Sequence, residues 1–186
     1  MKNDENSVIR RILAGNIQEY ELLVRNYQAA VYHVLYQMLQ QHEEAEELAQ
    51  EVFVKAYEKL ETFNYRSKFF SWIYRIAINT AISHIKKSQR FVRLERLPED
   101  AGRNPDSVDK PVMEKERDVM LQRAMGELGE NYRAVIVLHY FKELSYAEIA
   151  EVLDLSEKKV KSRLYDGRKL LKGILERQGF FESSRA

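Results

Sequence analysis

Apolar residues recur at three- and four-residue spacing along almost the whole chain. That period is helical, and the two-residue alternation of a half-buried strand is missing. A short helix is expected over about Val8 to Ala14, after a frayed segment 1–7, and Gly15 ends it. Asn16 with Glu19 restarts a longer helix that buries Ile17, Tyr20, Leu23, Tyr27, Val31, Val34, Leu35 and Met38. Beyond Gln41, the positions Leu48, Val52, Ala56 and Leu60 form the next buried stripe. Thr62 to Ser67 reads as a loop, and Ser67 can cap a helix running to about Ser88. Its inner face holds Trp72, Ile73, Ile76, Ala77 and Ile85, with Phe70 also assigned to the core. Helices resume at about Val112–Glu127 and Asn131–Lys142, with Met120, Ala124, Val135, Leu138 and Phe141 as a small second core.

The clearest pattern lies between Leu144 and Leu171. Ser145 and Glu148 have the spacing of a capping box, in which hydroxyl and carboxylate satisfy each other's backbone N–H. Ile149, Val152 and Leu153 follow on one face. Asp154 suits the turn, because a short polar side chain tolerates the left-handed conformation. Ser156 caps a second helix, on which Val160, Leu164, Leu171 and Ile174 point inward. Lys158, Lys159, Lys161, Ser162, Arg163, Tyr165, Arg168 and Lys169 cover the remaining surface. A helix-turn-helix places such a second helix in a DNA major groove. A helical hairpin with a solvated basic face is the competing reading.

The interval 91–118 carries all three prolines of the chain, Pro98, Pro105 and Pro111, and no helical stripe. It reads as a linker. Its 28 residues reach up to roughly 90 Å when extended, enough for one to two turns of DNA at about 34–70 Å. The fold class is therefore all-α: two small helical domains, 8–90 and 119–178, joined by a flexible linker, the C-terminal one a helix-turn-helix.

Composition narrows the chemistry. The absence of cysteine removes disulfides and thiolate chemistry and is compatible with a reducing compartment. The N-terminus lacks a signal-peptide core, and the longest apolar run, Ala134 to Phe141, is too short to span a bilayer. A cytoplasmic protein without membrane insertion is the expectation. The four histidines are scattered without metal-ligand spacing, and no glycine-rich phosphate loop occurs. No enzymatic activity, cofactor or metal is expected.

Net charge is only +1, so distribution decides. Residues 43–61 are strongly acidic. A solvated face and a partner-docking surface are both open readings there. From Asn64 to Leu94 there is no acidic residue, while Arg66, Lys68, Arg75, Lys86, Lys87, Arg90 and Arg93 stand among Tyr65, Phe69, Phe70, Trp72 and Tyr74. Flat rings beside cations suit single-stranded nucleic acid, with rings for bases and charge for phosphates.

In this order the parts resemble a bacterial sigma factor of the extracytoplasmic-function (ECF) group, sigma-70 family. The resemblance rests on AEELAQEVFVKAYEKLETF (45–63), FFSWIYRIAINTAISHIKK (69–87) and LGENYRAVIVLHYFKELSYAEIAEVLDLSEKKVKSRL (128–164). It implies that Glu47, Gln50 and Glu51 dock on core RNA polymerase. It implies that Phe63, Asn64, Tyr65, Arg66 and Ser67 pocket a flipped base of the −10 element, with Arg75, Asn79, Lys86, Lys87 and Arg90 on the adjoining helix. For the −35 element it implies Ser156, Lys158, Lys159, Lys161, Ser162, Arg163, Tyr165 and Arg168. Promoter DNA, core polymerase and an anti-sigma factor are the implied partners, and a stress or envelope response the implied setting. Lys158 and Lys159 stand where the family commonly has Gly-Thr, and Asp166 where a basic residue is usual. The rival reading, a stand-alone helix-turn-helix regulator, explains 112–175 equally well but not the acid-free aromatic stretch 64–94.

Overall fold

The computed structural model describes residues 5–92 and 112–181. The described residues form helices and turns without a strand. The first body holds α1 (Glu5–Leu13), α2 (Tyr20–Leu39), α3 (His42–Glu58) and α4 (Phe69–Val92). The second holds α5 (Val112–Glu127), α6 (Glu130–Ile136), α7 (Tyr146–Leu153) and α8 (Glu157–Arg177). Helix α5 starts inside the interval read as linker, so residues 112–118 are helical; 93–111 lie outside the described residues.

In the first body α2 packs on both α3 and α4, and α3 on α4. The expected stripes are buried at Leu23, Val31, Val34, Leu35 and Met38 on α2, at Leu48, Val52 and Ala56 on α3, and at Leu60 just beyond it. Two expectations at the start are corrected. Residues from Glu5 are helical, and Val8, Ile9 and Ile12 enter the core. Ile17 is 57% exposed. It sits in a 3₁₀ turn, Ile17–Glu19, ahead of α2, and a three-residue turn does not continue the phase of the α-helical stripe. The turn is held by the Arg11 guanidinium, whose Nε and Nη2 donate to the Glu19 carboxylate at 2.6–2.8 Å.

In the second body α8 packs against α5, α6 and α7. The single helix expected over 131–142 is instead α6 followed by a π-helical turn, Val137–Phe141. Phe141, assigned to the core, is 40% exposed beside Tyr140 on a groove that α8 completes. Gly167 shows why α8 can approach α6. A Cβ there would stand 3.3 Å from Ile136 Cδ1 and 3.4 Å from Tyr132 Cβ. The glycine weakens helix propensity by about 1 kcal/mol but admits a close crossing.

The bodies are in contact rather than held apart. Helix α4 lies on α7, and α2 on α5, α6 and the π turn. Arg133 of α6 is only 6% exposed. Its Nη1 donates to the carbonyl of Met38, and its Nη2 to those of Gly126 (2.5 Å) and Leu128 (2.8 Å). These carbonyls belong to the ends of α2 and α5, where helices leave oxygens without intrahelical donors and the macrodipole favours a cation. Arg75 of α4 mirrors the arrangement, donating to the Glu151 carbonyl in the last turn of α7. Each body thus sends one arginine to a helix end of the other. Burial lowers the pKa of Arg133, yet a guanidinium titrates so high that it stays charged.

Candidate nucleic-acid interface

The helix-turn-helix forms as its residues dictate. Ser145 Oγ accepts from the N–H of Glu148 at 3.3 Å, and Glu148 Oε2 accepts from the N–H of Ser145 at 3.0 Å. These bonds from Ser145 hold the Glu148 carboxyl below the ordinary carboxylate range, with a smaller contribution from Lys68. Asp154 ends α7 with φ 53°, in the left-handed region. Ser156 Oγ accepts from the N–H of Lys159 at 3.3 Å and starts α8. Ile149, Val152, Val160 and Leu164 close the corner.

This burial leaves the basic face of α8 outside. Ser156, Lys158, Lys159, Lys161, Ser162 and Arg168 are exposed, Arg163 is half-buried, and Tyr165 is 63% exposed. Lys161 Nζ lies 5.5 Å from the Tyr146 ring centroid, a cation–π approach that holds one lysine near the start of α7. Seven of the eight expected residues lie on α8 and Ser156 caps it, and together they leave a surface of stems and charges.

The first body brings the other set together around the turn between α3 and α4. The Arg66 N–H donates to Asn64 Oδ1 at 3.0 Å, and Tyr65 between them adopts φ 58°. The Arg10 guanidinium lies 5.4 Å from the Tyr65 ring centroid. Tyr65, Arg66, Ser67, Lys68 and Phe70 line one side of a cleft of about 780 Å³. Phe63 is corrected. Expected as a base contact, it is 2% exposed and packs edge-on against Tyr65, Phe69 and Trp72. It supports the turn from beneath and offers no open face. Phe70, assigned to the core, is half-buried on the cleft, with Lys68 Nζ 5.3 Å from its ring centroid.

Along α4 the expected residues divide. Asn79 and Lys87 are exposed. Lys86 is exposed but approaches Glu130 of the second body at 3.7 Å. Arg75 is half-buried and committed to α7, so in this arrangement α7 covers it. Lys68 reaches Glu148 at 3.3 Å. The side chain of Arg90 lies outside the described residues.

Glu47, Gln50 and Glu51 are all exposed on α3. Glu51 pairs with Lys55 one turn on, at 2.5 Å. Gln50 lines an apolar groove of about 580 Å³ between α2 and α3, with Val24, Tyr32 and Phe53. The sequence reading passed over the other wall of the cleft, formed by Glu5, Asn6, Asn26 and Tyr27. Glu5 and Asn6 lie in the stretch expected to be frayed, while Tyr27, expected in the core, is half-buried here. Arg133 was missed too, though its spacing to Ile136 and Val137 placed a charge on a buried face. No helix among the described residues is long and apolar enough to cross a membrane.

Two family models match the chain, Sigma-70 region 2 over residues 23–91 and Sigma-70 region 4 over residues 118–171. The ECF RNA polymerase sigma factor SigW of Bacillus subtilis is 32% identical over 183 residues, spanning 88% of this chain and 92% of that protein. The RNA polymerase sigma-H factor of Pseudomonas aeruginosa is 28% identical over 184 residues, 94% of this chain and 95% of that protein. Among solved structures, CnrH in complex with the cytosolic domain of CnrY is similar with a TM-score of 0.66 and 25% identity, over 91% of this chain and 96% of that one. The sigma factor RpoE of Bartonella quintana, in complex with the anti-sigma factor NepR, shares the fold with a TM-score of 0.70 and 21% identity, over 86% of this chain and 98% of that one. The order of a clefted aromatic body and a helix-turn-helix body, and likeness to such relatives over nearly the whole length, place this chain in the ECF group of sigma-70 family RNA polymerase sigma factors.

Proposed function

We propose that residues 8–90 dock on core RNA polymerase and open the −10 element, and that residues 119–178 read the −35 element through α8. Glu47, Gln50 and Glu51 are the polymerase contacts. In the first body Asn64, Tyr65, Arg66 and Ser67 receive a flipped base of the non-template strand, while Asn79, Lys86, Lys87 and Arg90 follow the backbone. Arg75 joins them once α7 moves off it. In the second body Ser156, Lys158, Lys159, Lys161, Ser162, Arg163, Tyr165 and Arg168 meet the duplex, lysines neutralising phosphates and the central residues reaching base edges. The chain acts in the cytoplasm as an initiation factor without catalytic activity, in a stress or envelope response, and an anti-sigma factor holds it inactive.

The observation that supports this most is the pairing, on one chain, of a capped helix-turn-helix whose second helix exposes a basic face and an aromatic, cation-rimmed cleft. Unstacking a base costs a few kcal/mol, and stacking on an aromatic ring returns about 1–3 kcal/mol. The two nearly cancel, so polymerase and the −35 contacts must tip the opening. The test is transcription by core polymerase with this protein on a promoter library. Specific initiation that depends on the protein is expected. Tight duplex binding by the protein alone, unaffected by core polymerase, would instead make it a stand-alone regulator.

A further inference from the structure

Helix α8 carries three acidic residues, Glu157, Asp166 and Glu176. The fold explains two of them. Glu157 stands in the first turn, where a carboxylate complements the macrodipole. Glu176 pairs with Lys172, one turn back, at 3.6 Å. Asp166 has neither support. It lies in the middle of the helix, half-buried, with no hydrogen bond or ion pair among the described residues. Aspartate is a poor residue for a helix interior, and here it precedes Gly167. The close approach to α6 accounts for the glycine. No polar contact among the described residues accounts for the aspartate.

Its place is on the basic face. Val160, Leu164 and Gly167 are buried and point into the body. Asp166 falls one turn beyond Ser162 and Arg163 and two turns beyond Lys159, so it shares a side with them and not with the buried stripe. Arg163 and Lys169, three residues away on either side, do not pair with it. Phosphates repel a carboxylate, so on this face it gains only from a donor on a base edge.

In the major groove of a duplex each base shows a fixed set of groups. Guanine presents two acceptors, N7 and O6, and thymine the O4 acceptor beside a methyl group. Adenine presents one donor beside the N7 acceptor. Cytosine presents its N4 amine and no acceptor. The ring N–H groups are used in base pairing, and the guanine amine lies in the minor groove. A carboxylate only accepts. Cytosine therefore suits it best and adenine less, while guanine and thymine repel it.

We propose that Asp166 is a specificity-determining residue that accepts from the N4 amine of a cytosine in the −35 duplex, with Lys159, Arg163 and Lys169 offsetting its charge against the flanking phosphates. This rests on the reading of α8 as the −35 recognition helix.

The experiment uses the full chain bound to core polymerase. Wild type, D166A and D166N are compared on a duplex library randomised across the −35 element. Wild type is expected to enrich a cytosine at one position. Changing that base to guanine or thymine in a fixed duplex should weaken binding about tenfold. D166A should keep the other enriched positions, reduce the loss at this one to under about threefold, and bind the guanine-bearing duplex more tightly than wild type does. D166N, nearly the same shape but with an amide that both accepts and donates, should move the preference at that position toward adenine. If both variants enrich the same cytosine as wild type, Asp166 is only a solvated acid and the inference is overturned. If wild type enriches no −35 sequence at all, the reading of α8 fails and the inference goes with it.

Discussion

Ser145 and Glu148 show how far single residues carry this structure. The bonds from Ser145 lower the Glu148 pKa, because the ionised carboxylate is the stronger acceptor of both. A group whose folded pKa lies below its unfolded value of about 4.5 stabilises the fold above that pH and loses the effect as pH falls through the folded value. S145A should therefore cost about 1 kcal/mol near neutrality. The gap between its melting temperature and that of the wild type should narrow as pH drops below about 4.5. A gap unchanged down to pH 3 would remove the cap from the account. On α8, the double reversal K161E/R163E should weaken −35 duplex binding in a fluorescence assay and flatten its salt dependence, because each neutralised phosphate releases counterions. Core polymerase pull-down should stay as it is, since both residues lie on the other body from α3. The capping box was legible because its chemistry is local. Phe63 was not, because an aromatic beside a loop looks the same whether its ring faces a base or Trp72.

Among the elements, α8 depends on what it crosses. In isolation Gly167 is a weak point in a helix. Packed against α6 it is the position that fixes the distance between them. G167A gains about 1 kcal/mol of helix propensity but pushes on the tip of Ile136, which can turn, and on Tyr132 Cβ, which cannot. Its melting temperature should stay within a few degrees of wild type. G167L should lose about 1–3 kcal/mol through overpacking and lower the melting temperature clearly. A G167L protein as stable as the wild type would show that α6 and α8 are not held this close. The stripes of α2, α3 and α8 were readable from period alone. The break between α6 and its π turn was not, because continuous apolar residues fit either form.

At the scale of the molecule, two arginines join the bodies. The exposed ion pairs Lys68–Glu148 and Lys86–Glu130 add little, since surface pairs contribute about 0–1 kcal/mol. Arg133 is different, being buried with three carbonyl acceptors, each bond to a charged group contributing about 1.5–3 kcal/mol. R133M removes the donor and strands those oxygens. The radius of gyration in X-ray scattering should rise as α2 parts from α6, and amide exchange near Met38 and Glu151 should speed up. Unchanged scattering would mean that the apolar contacts alone hold the bodies together. Parting them also uncovers Arg75, so R133M should raise the affinity of the free chain for −10 non-template oligonucleotides.

Helical class, the order of the parts, the capped hairpin and its basic face are properties of the chain read in one dimension. Each follows from periodicity or from groups three or four residues apart. Tertiary structure alone decided that Phe63 lies under its turn, that α1 walls the cleft, that Gly167 is a spacer and that Arg133 and Arg75 reach across. Those facts join residues such as Glu5 with Tyr27, or Met38 with Arg133, that are far apart in sequence. Local spacing cannot encode which distant helix end a buried guanidinium will find.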